Sequence, residues 1–289
     1  MTTTTPAPGS PVAYKDPVRQ ALARRKARRD AFVGMASLIG FTIVVAVLVS
    51  RTPGWPVVQE TFFNPAEFKD TLPGLLEAFL LNVKIFLIAE PIILVFSLLI
   101  ALTRTLQSPI FLPLRVLATI YVDVFRGVPT ILVIFLLGFG VPALRLQGVP
   151  TNPVFWGTAA LILSYSAYVA EVFRAGIGSV HPSQRMAARS LGLSTLQTNR
   201  YVVLPQAIRN VVPPLLNDFI SLQKDTALVS VLGPIEVLRQ AQIDASSTFN
   251  YTAYVAAACI FIALTIPMTR FADWVQARMS RRQRAGAVA

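Results

Sequence analysis

Four groups of charged side chains interrupt long apolar runs of this 289-residue chain. They are Glu90, the pair Asp123 and Arg126, the pair Glu171 and Arg174, and the adjacent Lys224 and Asp225. A charge that leaves water needs an opposite charge, hydrogen bonds or a watery cavity. Each group could therefore bind a charged solute, or it could neutralise another part of the same protein.

Glu90 precedes Pro91 near the middle of an apolar run. Its carboxylate could face a central cavity and bind the ammonium group of a solute. The alternative is a partner within the protein, such as Lys84 or a residue of another helix. Lys84 is six residues away, about 120° round a helix, so a pair within one helix is unfavourable.

The other groups allow two interpretations each. Asp123 and Arg126 are three residues apart, as are Glu171 and Arg174, so each pair could form an ion pair on one helix face. The sequence Arg126-Gly127-Val128-Pro129 also breaks helix regularity and predicts a bend. Lys224 and Asp225 could order a cavity wall or stabilise subunit packing, and the residues alone do not separate these alternatives.

Long uncharged runs indicate the elements that must position these charges. The chain is 54% hydrophobic and only 14% charged, against about 25% charged residues in an ordinary soluble domain. Residues 31–50 and 127–144 contain no charge, and about 20 apolar residues span a bilayer as a helix. The sequence therefore predicts an all-α membrane protein with several spans.

The net charge of +12 is concentrated at the two ends of the chain. Seven basic residues lie between Lys15 and Arg29, and four arginines lie after Ala277. Lys and Arg collect on the cytoplasmic side of membrane proteins, so we interpret the charge as a topology signal with secondary contact to anionic lipid. This interpretation argues against a nucleic-acid partner.

A single cysteine and a single histidine limit the chemistry further. Cys259 cannot form a disulfide within the chain, and His181 cannot make a histidine cluster. We therefore expect no metal site, no catalytic residue and no cofactor in this chain.

Six spans fit the apolar pattern and the basic ends. Two basic tails on the same side of a membrane require an even number of spans. The predicted spans are 31–50, 75–103, 117–142, 154–173, 206–233 and 250–270. In the weakest of them, 206–233, Pro213 and Pro214 predict a broken or kinked helix.

The predicted regions follow from this count. Residues 1–30 would form a disordered basic cytoplasmic tail, 31–50 an extra N-terminal helix, and 51–72 an outer loop. Residues 73–273 would form the membrane core, with a polar cytoplasmic loop at 181–199, and 274–289 a basic cytoplasmic tail.

The cytoplasmic loop carries the signals of two short helices. Pro182 suits a first helical turn, and Gly192 can adopt the left-handed conformation that ends a helix. Ser194 and Gln197 have the spacing of a capping box. Pro205 would stop the second helix or bend it into the next span. Ala187 and Ala188 would leave a low-bulk surface for a partner, although a plain surface hairpin of helices is equally compatible.

The same loop resembles the cytoplasmic signature of the membrane subunits of ABC importers. That pattern is Glu-Ala-Ala, three residues, Gly, nine residues, an aliphatic residue, one residue and Leu-Pro. The matching positions here are Ala187, Ala188, Gly192, Val202, Leu204 and Pro205. Gln184 precedes the motif, and Met186 stands at the position of its Glu. The resemblance implies that this segment is a coupling helix, which docks into a cleft of a separate ATPase subunit.

Further segments extend the resemblance to about residues 73–273. The stretches at 121–129, 167–180 and 204–233 are similar to permeases of polar amino-acid importers of the histidine/glutamine/glutamate type. This resemblance implies a five-helix type I importer core with one extra N-terminal helix. It also implies an ATPase, an extracytoplasmic solute-binding protein, a second permease as homodimer or heterodimer partner, and a bacterial plasma membrane.

Two features of the sequence concern the energy source for transport. The chain contains no Gly-x-x-x-x-Gly-Lys-Ser/Thr loop, so ATP and Mg²⁺ would be bound by the partner ATPase. Met186 replaces the usual Glu, which removes one polar contact and puts the strength of coupling in question. The alternative function is a secondary amino-acid transporter driven by an ion gradient, although no inverted repeat is visible.

Overall fold

The computed structural model describes residues 17–106 and 108–286, and every regular element in these ranges is helical. The division between its two units falls between Gln59 and Glu60. The helices are α1 (Pro17–Ser50), α2 (Trp55–Phe62), α3 (Pro65–Thr105), α4 (Leu112–Gly127), α5 (Thr130–Ala143), α6 (Pro153–Gly178), α7 (Pro182–Ser190), α8 (Thr195–Thr198), α9 (Leu204–Asp225), α10 (Val237–Thr248) and α11 (Thr252–Gly286). An all-α fold is therefore confirmed.

The apolar runs become helices of membrane-spanning length. Within the described ranges, four segments are long and apolar enough to cross a bilayer: Arg28–Ser50, Trp55–Thr105, Pro153–Gly178 and Thr252–Met279. Taken together as one bent span, α4 and α5 supply a fifth. Helix α9, with 22 residues, is long enough to cross a bilayer, but it does not pass the same test of length and apolar composition. The chain is a multi-pass membrane protein, while the count of six spans stays a prediction.

Helical structure extends further than predicted in the two tails and in the outer loop. Residues 17–30, predicted to be disordered, form the start of α1, because their alanines, arginines and lysines are strong helix formers that extend a helix already nucleated. Residues 1–16 lie outside the described residues. The predicted loop 51–72 contains α2 and the first turns of α3, and α11 continues through most of 274–289.

The bend predicted at Arg126 to Pro129 is present, and it divides the predicted span 117–142 into two helices. Helices α4 and α5 meet at 105°. Pro129 explains the break, because it disfavours the helical conformation for the residue before it. Val128 accordingly has φ −101° and ψ 130°, which is extended backbone.

The core lies where α6 packs against α3, α9 and the 3₁₀ turn Thr226–Leu232. Ile85, Leu161 and Leu222 are almost fully buried in it. Glycines of α6 permit the close approach, since a Cβ on Gly157 would lie 2.6 Å from Val229 Cγ1 and one on Gly176 would overlap Val211. Small residues at helix contacts are a common device of membrane proteins.

The break in the predicted span 206–233 lies later than expected. Helix α9 runs through Pro213 and Pro214 and gives way to the 3₁₀ turn only at Thr226. A buried polar cluster holds this turn, because Asn82 Nδ2 of α3 donates to Glu236 Oε2 at 2.8 Å and to Thr226 Oγ1 at 3.1 Å. The long-range hydrogen bonds of Asn82 thus hold the 3₁₀ turn that follows α9 against α3.

Candidate functional site

The loop between α6 and α9 begins with a short, firmly terminated helix. His181 caps α7 through Nδ1, which accepts a hydrogen bond from Ser183 N at 3.2 Å. At the other end Gly192 has φ +82°. The N–H of Gly192 donates to Arg189 O at 3.0 Å, and that of Leu193 donates to Ala188 O at 3.2 Å. These two bonds form a Schellman motif, so the prediction of a left-handed Gly192 is confirmed.

The second helix of the loop is capped at its start and is continuous with α9 at its end. Ser194 and Gln197 form the predicted capping box. A π-helical turn, Asn199–Val203, then leads into α9, with Leu204 N–H donating to Asn199 O. Pro205 has no N–H to donate, which accounts for the wider turn. The second helix therefore continues into α9 instead of stopping before it.

The exposed face of this loop differs from the predicted small-residue surface. Ala187 is exposed as predicted, and Gln184 and Met186 are also exposed, but Ala188 is buried against its own protein. The sequence interpretation missed Leu191 and Leu196, which are 84% and 77% exposed. Exposed leucines in a polar loop were the available signal, because large apolar side chains that face water often mark a binding surface.

The remaining motif positions lie at the start of α9. Val202 is half-buried and Leu204 is exposed beside a cavity of about 440 Å³. Arg185 and Arg200 line the same cavity, so this end of the loop combines apolar and cationic surface. The role of all eight motif residues in docking stays a prediction.

Glu90 lines a cavity of about 350 Å³ between α3, α9 and α11. Its other walls are apolar: Leu94, Val212, Leu215, Leu216, Phe219, Ile220, Met268 and Phe271. Asp218 of α9 adjoins the lining residue Phe219 in the sequence, but it does not line the cavity itself. Asp218 Oδ2 is buried and has no hydrogen-bond partner among the described residues. Two acidic groups with no described cation beside them suit a cationic group from outside the chain.

Asp218 was not among the predicted site residues. Its only sequence signal was an acid within a weak span. Its position relative to Glu90 depends on how α3 and α9 pack, so sequence spacing did not reveal it.

Glu171 takes the structural role that its spacing allowed. It pairs with Arg174 on the same helix and with Arg104 of α3, where Arg104 Nη1 lies 2.8 Å from Glu171 Oε2. The intrahelical pair is confirmed, and the contact with α3 was not predicted. This small network joins the ends of α3 and α6 next to the loop that carries α7.

Asp123 and Arg126 do not form the ion pair that their spacing allowed, because no ion pair within 4.0 Å joins these two described residues. The guanidinium of Arg126 instead lies 5.9 Å from the centre of the Tyr168 ring, and Tyr168 Oη donates to Arg126 O at 3.2 Å. The α4–α5 bend directly after Arg126 turns the helix away. Arg126 thus contacts α6 rather than its own helix.

Lys224 and Asp225 separate in the structure. Asp225 Oδ2 accepts a hydrogen bond from Tyr165 Oη of α6 at 2.7 Å, which holds it against the core. Lys224 is exposed. Of the predicted residues, Glu90 lines the cavity, and Asp123, Arg126, Glu171, Lys224 and Asp225 do not.

These features define a class of protein: a helical membrane permease subunit with a structured loop at one face and a carboxylate-bearing cavity in the bundle. Residues 110–281 match the family described as "Binding-protein-dependent transport system inner membrane component". The chain belongs to this family. It is the membrane-spanning permease subunit of an ABC importer, and the similarity supports this function over an ion-gradient transporter.

Individual relatives agree with the family match. The chain is 36% identical over 179 residues to the "Probable glutamine ABC transporter permease protein GlnM" of Bacillus subtilis (strain 168), covering 61% of this chain and 81% of that protein. It is 31% identical over 209 residues to the "Arginine transport system permease protein ArtQ" of the same organism, covering 72% and 93%. These relatives are transport permease subunits rather than enzymes.

A solved structure has the same fold. It is described as "Crystal structure of an amino acid ABC transporter with histidines", and it aligns with a TM-score of 0.66 at 33% identity. The alignment covers 75% of this chain and 98% of the other. The type I importer core expected from the resemblance agrees with this match.

Proposed function

We propose that this subunit forms half of a path for a polar amino acid and draws energy from a separate ATPase docked at residues 181–199. Its relatives are named as permeases for glutamine, arginine and other amino acids. ATP and Mg²⁺ would be bound by the ATPase, and this chain would hold no cofactor. A second permease, identical or related, would supply the other half of the path.

The observation that carries the amino-acid proposal is the cavity with Glu90 and the neighbouring Asp218. Every α-amino acid carries an ammonium group, and buried carboxylates compensate its desolvation. The apolar walls would accept the rest of a small solute. Because the ammonium group is common to all amino acids, these two carboxylates would admit the class without selecting a member.

The coupling step follows from the geometry of the loop. Closure of two ATPase subunits on ATP would move α7, and the Schellman motif and capping box would transmit that motion as a rigid unit. The continuous connection from α8 through the π-helical turn would carry it into α9, whose residues line the cavity. The cavity would then open outward, toward a solute-binding protein on the outer face.

We propose a bacterial plasma-membrane location with both termini in the cytoplasm. The basic ends of the chain support this orientation. Cysteine labelling of single sites in the 181–199 loop, compared in intact cells and inside-out vesicles, tests it. Labelling of the loop from outside intact cells would reverse the orientation.

The function is tested in proteoliposomes that contain the chain, its ATPase and its binding protein. Uptake of a labelled amino acid should stop with a hydrolysis-deficient ATPase, and uptake on a proton or sodium gradient alone would contradict the proposal. Glu90→Gln and Asp218→Asn should each reduce uptake at least about tenfold, because an unpaired buried partner costs several kcal/mol. Glu77→Gln on the exposed side of α3 is the matched control and should transport normally.

A further inference from the structure

A second cavity, of about 450 Å³, lies between the end of α3, the start of α4 and the end of α6. Three arginines line it, one from each helix: Arg104, Arg115 and Arg174. This is the end of the bundle from which α7 follows α6. The carboxylate-bearing cavity of α3, α9 and α11 shares no lining residue with it.

The charges of this arginine cavity do not cancel. Glu171 neutralises part of the cluster by pairing with Arg104 and Arg174. Arg115 makes no side-chain hydrogen bond or ion pair with any residue that the structure describes. Three guanidinium groups and one carboxylate leave a local charge of 3 − 1 = +2. The site is therefore suited to a phosphate monoanion, which planar guanidinium groups bind with two parallel hydrogen bonds.

Helix α4 gives the cavity two different walls. Leu112, Val116 and Ile120 are four residues apart and form an apolar stripe, and all three are about half exposed. Arg115 and Thr119, one position earlier, form a polar stripe beside it. Residues four apart share a helix face. A ligand that fits both stripes has a charged head and a long apolar tail.

We propose that this cavity binds an anionic phospholipid of the leaflet at the coupling-loop end. Its phosphate would lie among Arg104, Arg115 and Arg174, and an acyl chain would lie along the stripe of Leu112, Val116 and Ile120. A phospholipid fits better than free phosphate, because free phosphate leaves the apolar stripe exposed. It also fits the membrane, since basic pockets between helices near a membrane surface bind lipid headgroups.

The lipid would contact the network that joins α3 to α6. Arg104 and Arg174 hold Glu171, so a bound phosphate would share their hydrogen bonds and fix the ends of both helices. Helix α6 ends at Gly178, only three residues before the N-cap of α7 at His181. An anionic lipid would thus stiffen the start of the coupling loop. Binding itself does not depend on the proposed amino-acid substrate.

Lipid binding is measured by native mass spectrometry of the full chain, released from nanodiscs that contain equal amounts of phosphatidylglycerol and phosphatidylcholine. The wild-type protein should retain phosphatidylglycerol preferentially. Arg115→Gln should reduce that preference about fivefold, since one arginine near an anionic membrane surface contributes about 1 kcal/mol. Arg209→Gln, an exposed arginine on α9, is the matched control and should retain the wild-type preference.

Other outcomes would overturn the proposal. An unchanged preference in Arg115→Gln, with Arg115→Lys also unchanged, would show that the cavity does not bind the lipid. Displacement of phosphatidylglycerol by millimolar inorganic phosphate would indicate a soluble anion site instead. Disulfide formation between two copies carrying Val116→Cys and Cys259→Ser would show that a second permease covers this face. Loss of lipid from Arg115→Gln, with partial retention by Arg115→Lys, supports the proposal.

Discussion

Substitution of Gly192 by alanine tests whether the coupling loop acts through its backbone shape. Gly192 has φ +82°, and a Cβ built there meets no atom within 4 Å. The substitution therefore introduces no steric overlap, and its whole effect is conformational. An L-residue in the left-handed region costs about 1–2 kcal/mol. This free energy should raise the fraction of molecules with an open loop about 5- to 30-fold.

Hydrogen exchange of the full chain in detergent measures this opening directly. The amides of Gly192 and Leu193 close the Schellman motif, through Arg189 O and Ala188 O. Their protection should fall by the same 5- to 30-fold in Gly192→Ala. Gly192→Asn should lose less amide protection than Gly192→Ala, because asparagine enters the left-handed region more readily than alanine. In the assembled transporter, ATP-driven uptake should fall in the same order.

Gly178→Ala is the matched control, since Gly178 also has open space around its Cβ position but lies in α6 without a positive φ. Alanine there should leave loop protection unchanged, because α6 ends in ordinary helical backbone at this position. Wild-type protection of the Leu193 amide in Gly192→Ala would refute the reasoning. It would mean that packing, not the left-handed residue, holds the end of α7.

Three further predictions concern packing, charge burial and the subunit interface. Gly176→Ala should lower the free energy of unfolding by about 1–3 kcal/mol through overlap with Val211, and adding Val211→Ala should recover most of it in a thermal unfolding scan. Burial raises the pKa of Glu236 in the folded protein, so the associated stability is present below the ordinary glutamate pKa of about 4.3 and is lost as pH rises through the raised value. The melting temperature of the wild type should therefore fall with rising pH relative to Glu236→Gln, and parallel curves would contradict this. Met186→Glu should leave ATPase association unchanged or tighten it by up to about 1 kcal/mol, since Met186 is exposed; a clear loss of assembly in co-purification would show instead that the partner has adapted to methionine.

Much of the secondary structure follows from local sequence. The apolar runs gave the spanning helices, and the Gly192, Ser194 and Gln197 signals gave the ends of α7 and the start of α8. These features depend on residues close in sequence. The sequence from Arg126 to Pro129 predicted a bend between α4 and α5 but not its angle. A proline can break a helix, kink it or leave it nearly straight, and the packing around it decides which.

The candidate site was less predictable, and the reason is the distance between partners along the chain. Glu171 had a visible neighbour in Arg174, but its contact with Arg104 spans 67 residues. Asp225 follows Lys224 in the sequence, yet Tyr165, 60 residues away, is its hydrogen-bond partner. Side chains far apart in the chain compete for each charge, and only packing decides which one reaches it.

The sequence by itself determined the class of this protein. Its hydropathy fixed a multi-pass helical chain, and the spacing of its loop motif indicated the importer family, because both are properties of consecutive residues. The tertiary structure decided which charges remain available. It placed Glu171 against Arg104 and Asp225 against Tyr165, put Glu90 in the lining of one cavity, and left Arg115 in the lining of another. A charge is neutralised by what lies within a few ångströms, and that neighbourhood exists only once the helices have packed.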